Sequence, residues 1–167
     1  VSARRIVVMG VTATGKSAVG AALAEALGAR FVDGDDLHPA SNRRKMAEGT
    51  PLDDADRAPW LAEVGRTLAE GGDCVVACSA LKRRYRTAID RAAGGGVRFV
   101  FLDAPRALVK ERLRAREGHF MPASLIRSQF ETLEPPGADE GAVRLAVDRP
   151  VAQVVQAALR GLGLQAP

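Results

Sequence analysis

Eight consecutive residues, Gly10-Val11-Thr12-Ala13-Thr14-Gly15-Lys16-Ser17, match the G-x-x-x-x-G-K-[ST] spacing that cradles phosphate. An apolar run, Ile6-Val7-Val8-Met9, precedes them and a helical pattern opens near Gly15. That strand–loop–helix setting gives the spacing its chemistry. Backbone N–H groups of such a loop and the positive end of the next helix face phosphate oxygens. Lys16 is placed to reach the β- and γ-phosphates, and the Ser17 hydroxyl to ligand Mg²⁺. A tight strand-to-helix turn would explain the two glycines but not the Lys-Ser pair. The pattern implies a nucleoside triphosphate site.

A second reactive stretch is Asp33-Gly34-Asp35-Asp36-Leu37-His38-Pro39. Carboxylates at the carboxyl end of a strand beside a phosphate loop can hold Mg²⁺ and accept an alcohol proton. Phosphoryl transfer needs little beyond positioning, metal charge and a base for the incoming hydroxyl. Gly34 allows a sharp backbone turn that separates Asp33 from Asp35, and Asp36 suits a solvated or helix-capping residue. The metal carboxylate comes from Asp33 or Asp35.

These residues need a frame. Apolar strand-like runs alternate with helical patterns, which predicts a parallel sheet covered on both faces. Strands are expected at 6–9, 30–33, 74–78, 98–102 and 144–147. Helices are expected at 15–27, 40–48, 56–70, 82–92, 105–116, 122–132 and 151–162. Right-handed crossovers then line the post-strand loops along one edge, where ligands bind in such sheets. The whole chain of 167 residues, 1–167, fits one domain of this three-layer α/β kind.

Composition narrows the partners. Aromatic residues are only 4%, so Ala, Val and Leu must build the core. The net charge of +4 suits anionic ligands, but Arg is dispersed, with no basic block to form a nucleic-acid platform. No apolar stretch reaches the length of a membrane span and no leader-like segment is visible. Cys74 and Cys78 lie at even spacing in one apolar run, on the same strand face and too far apart to bridge. Buried free thiols fit a reducing, cytoplasmic setting.

Longer segments carry a family resemblance. Asp33-Gly-Asp-Asp-Leu-His-Pro, Asn42-Arg-Arg-Lys45-Met46 and Gly49-Thr-Pro-Leu-Asp-Asp-Ala-Asp-Arg57-Ala-Pro-Trp60-Leu resemble gluconate kinases (gluconokinases) of the small, thermoresistant type. So do Cys78-Ser79-Ala80-Leu81-Lys82-Arg-Arg-Tyr85-Arg86, Arg116-Glu-Gly-His119-Phe120-Met and Gln129-Phe-Glu-Thr-Leu-Glu-Pro-Pro-Gly-Ala-Asp-Glu140. The succession spans nearly the whole chain in the family's order. It implies a P-loop NTPase fold like that of shikimate and adenylate kinases, with a five-stranded parallel sheet and a lid. The implied reaction is ATP- and Mg²⁺-dependent phosphorylation of D-gluconate at its 6-hydroxyl, by a homodimer.

The resemblance also distributes roles. Lys16 and the loop Gly10–Ser17 hold the nucleotide, Ser17 and Asp33 the Mg²⁺, and Asp35 the gluconate hydroxyl as base or orienting acceptor. Acceptor-binding helices cover about 38–70. A polyhydroxy acid needs a cation and several donors and acceptors, and the candidates are His38, Lys45, Arg57, Lys82, Arg86 and Gln129. Arg43 is set aside because its neighbour Arg44 shows how freely that helix carries charge. Trp60 and Met46 are assigned to core packing, and Asp103, despite an apolar run before it, to structure. A lid is expected over about 112–134, with Arg116 at the transferring phosphoryl, Arg112 at the nucleotide and Gly118 as a break before His119. The family's usual loop is G-V-S-G-[SC]-G-K-S; here Thr12 replaces Ser and Ala13 replaces Gly, with loss of tolerance for positive φ. Two other readings remain: a kinase for shikimate or a nucleoside monophosphate, and a non-catalytic nucleotide switch. No N-K-x-D guanine motif occurs to support a switch GTPase.

Overall fold

Alternation of side chains along β1 (Arg5–Met9) divides the core in two. Ile6 and Val8 enter one apolar cluster, Val7 and Met9 the other, and all four are buried. The computed structural model describes residues 2–116 and 123–165. Its sheet also contains β2 (Arg30–Asp33), β3 (Cys74–Ala77), β4 (Val97–Asp103) and β5 (Val143–Ala146). The order is β2-β3-β1-β4-β5, with every pairing parallel. The five strands therefore match the sequence expectation, in a three-layer α/β arrangement.

Helices cover both faces. On one lie α1 (Lys16–Leu27), α5 (Arg106–Ala115), α6 (Ala123–Thr132) and α7 (Val151–Leu162), which contribute Leu23, Val109, Ile126 and Leu159 to the cluster with Ile6 and Val8. On the other, α3 (Asp54–Ala69) and α4 (Arg83–Ala93) bring Trp60, Val64, Tyr85 and Ile89 against Val7 and Met9. The short α2 (Ala40–Ala47) stands outside both clusters. Cys74 and Cys78 are free and buried in the α3–α4 layer, as their spacing predicts.

Local chemistry explains the boundaries that moved. The third helix begins earlier than the hydrophobic pattern suggests because Asp53 and Asp56 form a reciprocal capping box. The Asp56 amide donates to Asp53 at 2.7 Å and the Asp53 amide to Asp56 at 3.0 Å. Asp36 does not cap α2; Pro39 occupies that position, and Asp33 instead caps a 3₁₀ turn over Gly34–Leu37. Asp103 at the end of β4 pairs with Arg144 of β5 at 2.7 Å, a structural tie between neighbouring strands.

Helices α3 and α4 touch through Gly65. A Cβ there would lie 2.5 Å from the Ala92 Cβ and 2.6 Å from the Ile89 carbonyl oxygen. Gly65→Ala should therefore destabilise the fold by about 1–3 kcal/mol, even though alanine is the better helix former. Chemical denaturation measures this; an unchanged or raised midpoint would mean the helices are not in backbone contact there.

Candidate active site at the carboxyl edge of the sheet

The carboxyl end of β1 feeds directly into the phosphate loop. The Gly10 amide donates to the Ser79 carbonyl at 3.2 Å, tying the loop to the segment that leaves β3. Gly15, at φ 92°, caps α1, so the amides that open this helix face the loop's concavity. Lys16 Nζ donates to the Val11 carbonyl at 2.8 Å, within the loop itself. Burial holds the Lys16 ammonium below its ordinary value; Asp35 and Asp33 oppose that, and Arg116 adds to it. The charges of Asp33, Asp35 and Arg116 thus all act on Lys16.

Asp33 and Asp35 have different surroundings. Asp33 accepts from the Ser17 hydroxyl at 2.9 Å and from the Asp35 amide at 3.0 Å. Burial and the adjacent Asp33 charge raise the Asp35 carboxyl above its ordinary value. Gly34 opens the 3₁₀ turn and also permits a close approach to β3. A Cβ at Gly34 would lie 2.4 Å from the Ala77 carbonyl oxygen, so its absence lets both aspartates sit close against β3.

Beside this edge opens a cavity of about 500 Å³, lined by Asp35, His38, Arg57, Trp60, Ser79 and Gln129 among others. Gln129, on α6, accepts from the Thr12 amide at 2.7 Å and joins the cavity wall to the phosphate loop. His38 stacks on Trp60 with centroids 4.1 Å apart, and Trp60 Nε1 donates to the Gly34 carbonyl at 2.7 Å. Arg57 Nη1 donates to the Tyr85 hydroxyl at 3.2 Å, which donates to Asp54 at 2.6 Å. Burial lowers the basicity of His38, Asp35 opposes this, and the Arg43 and Arg57 charges reinforce it. The cavity can take a polar molecule with an anionic end.

Several expected contacts lie elsewhere. Arg86 is 2% exposed and bonds inside the protein. Its guanidinium meets Glu140 at 2.7 Å and the Ala80 and Glu134 carbonyls at 2.9 Å each. With Nε, Nη1 and Nη2 all engaged, Arg86 is a structural residue rather than an acceptor cation. Lys45 is drawn onto Asp56 at 2.8 Å, and Lys82 packs over the Tyr85 ring at 5.7 Å; neither is among the cavity-lining residues. Arg43 braces the acidic loop through the His38 carbonyl at 3.1 Å and the Asp36 carbonyl.

Met46, assigned to the core, belongs to the cavity wall, whereas Trp60 packs in the core as assigned and lines the cavity as well. Met46 is 45% exposed and lines it with Leu125, and Trp60 is buried yet presents a face to it. Ser79 and Tyr85 also line the cavity without having been singled out as site residues, and Asn42 reaches the site only through His38. The signal for Asn42 was weak: one amide in a helix otherwise rich in surface charge. Arg112 donates to the Ala13 carbonyl at 3.2 Å and to the Val147 carbonyl, bracing the phosphate loop from α5. Arg116 follows the last turn of α5. Gly118, His119 and Pro122 lie outside the described residues.

Hydroxyl and carboxylate oxygens at the loop fit a hard divalent cation. Ser17 and Asp33 are already within hydrogen-bond distance of each other, and Mg²⁺ commonly takes one or two protein oxygens beside substrate phosphates. Among the described residues no group of three or more His, Cys, Asp or Glu could hold a metal alone.

Known proteins are similar to this chain in sequence and fold. A family described as an AAA domain matches residues 6–136. A gluconokinase of Gluconobacter oxydans is 49% identical over 150 residues, covering 87% of this chain and 84% of that enzyme. The thermoresistant gluconokinase of Escherichia coli is 42% identical over 154 residues, covering 89% and 87%. The crystal structure of a gluconokinase from Sinorhizobium meliloti superposes with a TM-score of 0.89 at 51% identity, covering 96% of this chain and 91% of that one.

Ala13 adopts φ 61°, the left-handed region, which for a residue with a Cβ costs about 1–2 kcal/mol. Ala13→Gly removes that strain and returns about 0.4–1 kcal/mol of unfolded-chain entropy. A net gain of about 0.5–1 kcal/mol in unfolding free energy is expected from the difference. A loss of stability in denaturant titration would show that the Ala13 methyl group compensates for its backbone strain.

Proposed function

As the chain belongs to the gluconokinase family, we propose that it transfers the γ-phosphoryl group of ATP to the 6-hydroxyl of D-gluconate, giving 6-phospho-D-gluconate. The observation that carries this reading is the cavity holding Asp35 and Arg57, joined to the phosphate loop through Gln129 and Thr12. A polyhydroxy acid needs a cation for its carboxylate and a base at the reacting hydroxyl. Arg57 and Asp35 supply those two features in one cavity.

The geometry supports a division of labour. Backbone amides of the loop and Lys16 hold the phosphates in line with the acceptor. Ser17 and Asp33 would hold Mg²⁺, which when bound neutralises charge on the phosphate oxygens. Asp35 takes the proton of the 6-hydroxyl as its oxygen bonds to phosphorus and the bond to the ADP oxygen breaks. The raised Asp35 carboxyl suits this, because a stronger base draws the proton more readily. Arg57 receives the gluconate carboxylate, with His38 and Gln129 at the remaining oxygens. Arg112 steadies the loop around the nucleotide, and Arg116 brings charge from the lid to the transferring group. The family resemblance supports a cytoplasmic homodimer.

Lys16→Ala should reduce turnover by about 10²–10³-fold or more while leaving the melting temperature near that of the parent, since no core cavity forms. Asp35→Asn should lower turnover with nucleotide affinity retained, and Asp33→Asn should raise the Mg²⁺ requirement. ADP-release assays and nucleotide titrations separate these effects, and interchanged phenotypes would exchange the two aspartates' roles.

The acceptor assignment has its own measurement. Glucose lacks the carboxylate and leaves Arg57 without its partner, so gluconate should be preferred by roughly 30- to several-thousand-fold in kcat/KM. Arg57→Ala should shrink that ratio. Equal use of both sugars by the parent enzyme, or preference for shikimate or a nucleoside monophosphate, would remove gluconate as the acceptor.

A further inference from the structure

Asn42 is the one buried side chain of α2, at 1% exposure, and neither phosphoryl transfer nor the apolar cores account for it. Its Nδ2 donates to the Asp56 carbonyl at 2.9 Å and lies 3.2 Å from Nδ1 of His38. A backbone carbonyl only accepts, so the atom facing Asp56 must be the amide nitrogen. That nitrogen has two hydrogens. One serves Asp56, and the other meets the His38 ring.

Donor arithmetic then determines the ring's tautomer. A ring nitrogen that receives a hydrogen bond carries no proton, so Nδ1 is bare and the proton of neutral His38 sits on Nε2. Protonating Nδ1 would set two donors against each other at a buried position. The ring cannot readily turn away, because it is stacked on Trp60, whose own N–H is held by Gly34. The charged groups acting on the ring are Asp35 on the acidic turn, Arg43 on α2 and Arg57 on α3. The two arginines and burial oppose a positive imidazolium, and Asp35 alone favours it.

We propose that Asn42 is a positioning residue that fixes His38 as the Nε2–H tautomer, so that the acceptor cavity meets a hydrogen-bond donor there and not a second base. His38 then directs a hydroxyl or carboxylate oxygen of the acceptor, and Asp35 is left as the single proton acceptor among the cavity-lining residues. The functional part of this inference rests on the gluconate reading, whereas the tautomer is a property of the unliganded protein.

Nitrogen-15 NMR of the full chain reads the tautomer directly. The chain has two histidines, His38 and His119, so spectra of His119→Gln assign the His38 signals. The expected result at pH 7 is a bare Nδ1 and a protonated Nε2. A cationic ring or an Nδ1–H tautomer would overturn the proposal. In Asn42→Asp, a carboxylate replaces the donor and should draw a proton onto Nδ1, shifting His38 to the other tautomer or to the cation. The same variant should raise the gluconate KM by about 10–100-fold with the ATP KM little changed. A purely structural Asn42 would leave the His38 nitrogen shifts as in the parent and move both KM values together, which would also overturn it. In Asn42→Ala, loss of the imposed preference should give a mixture of tautomers; retention of pure Nε2–H would show that Asn42 does not set it. If the parent shows Nε2–H but does not use gluconate, the acceptor assignment fails and the tautomer stands.

Discussion

The β1 strand is hydrogen-bonded on both sides and sealed on both faces, and the candidate site residues are arranged around its carboxyl end. Its neighbours are β3 and β4, in registers that bring Val8 level with Ala77 and with Val100. On the far side of β3, Asp33 is level with the same Ala77. The phosphate loop, the acidic turn and the Ser79 segment therefore leave the sheet at one height. The cleft lies where the chain crosses from one side of β1 to the other, the usual ligand position in open parallel sheets. Four buried apolar residues, Ile6–Met9, leave this strand little freedom to shift without exposing one core or the other.

A second constraint holds the cavity side of the site. Arg86 and Glu140 form an ion pair with side chains 3% and 14% exposed, and the guanidinium also takes the Ala80 and Glu134 carbonyls. Its hydrogen bond holds the Glu140 carboxyl below the ordinary range. Removing one partner of a buried pair commonly costs about 3–5 kcal/mol, because the other charge remains uncompensated. Here the pair fastens the Ser79–Leu81 loop to the segment following α6, and the Glu134 amide adds a bond to the Leu81 carbonyl at 2.7 Å. Ala80 is thereby held at φ 45°. Its strained backbone and that of Ala13 flank the same site, where surrounding structure can sustain conformations that an isolated chain would avoid.

The cavity beside the phosphate loop shows polar groups committed before any ligand arrives. Trp60 is fixed by Gly34, His38 by Trp60 and Asn42, and Gln129 by the Thr12 amide. Such pre-ordering reduces the side-chain entropy lost on binding. It also links the two halves of the site, since Gln129 contacts the phosphate loop and the cavity at once.

The linear pattern by itself determined much of this protein. The G-x-x-x-x-G-K-S spacing marked the phosphate loop, and apolar runs between helical periods marked the parallel sheet, because both signals are local and repeat along the chain. Asp33 and Asp35 were legible as a pair of distinct carboxylates for the same reason. The longer family-like segments indicated the acceptor class. What they did not decide was which side chain in each segment turns inward. Arg86 and Arg57 stand in equally suggestive surroundings, yet Arg86 is consumed by Glu140 and two carbonyls while Arg57 lines the cavity. Met46 reads as core and proves exposed, whereas Asn42, which nothing in the linear pattern singles out, is buried. These outcomes depend on how α2, α3 and α4 pack on one another and on partners distant in the chain. A buried charge or amide is tolerated only where folding supplies its counterpart, and that pairing exists only in three dimensions.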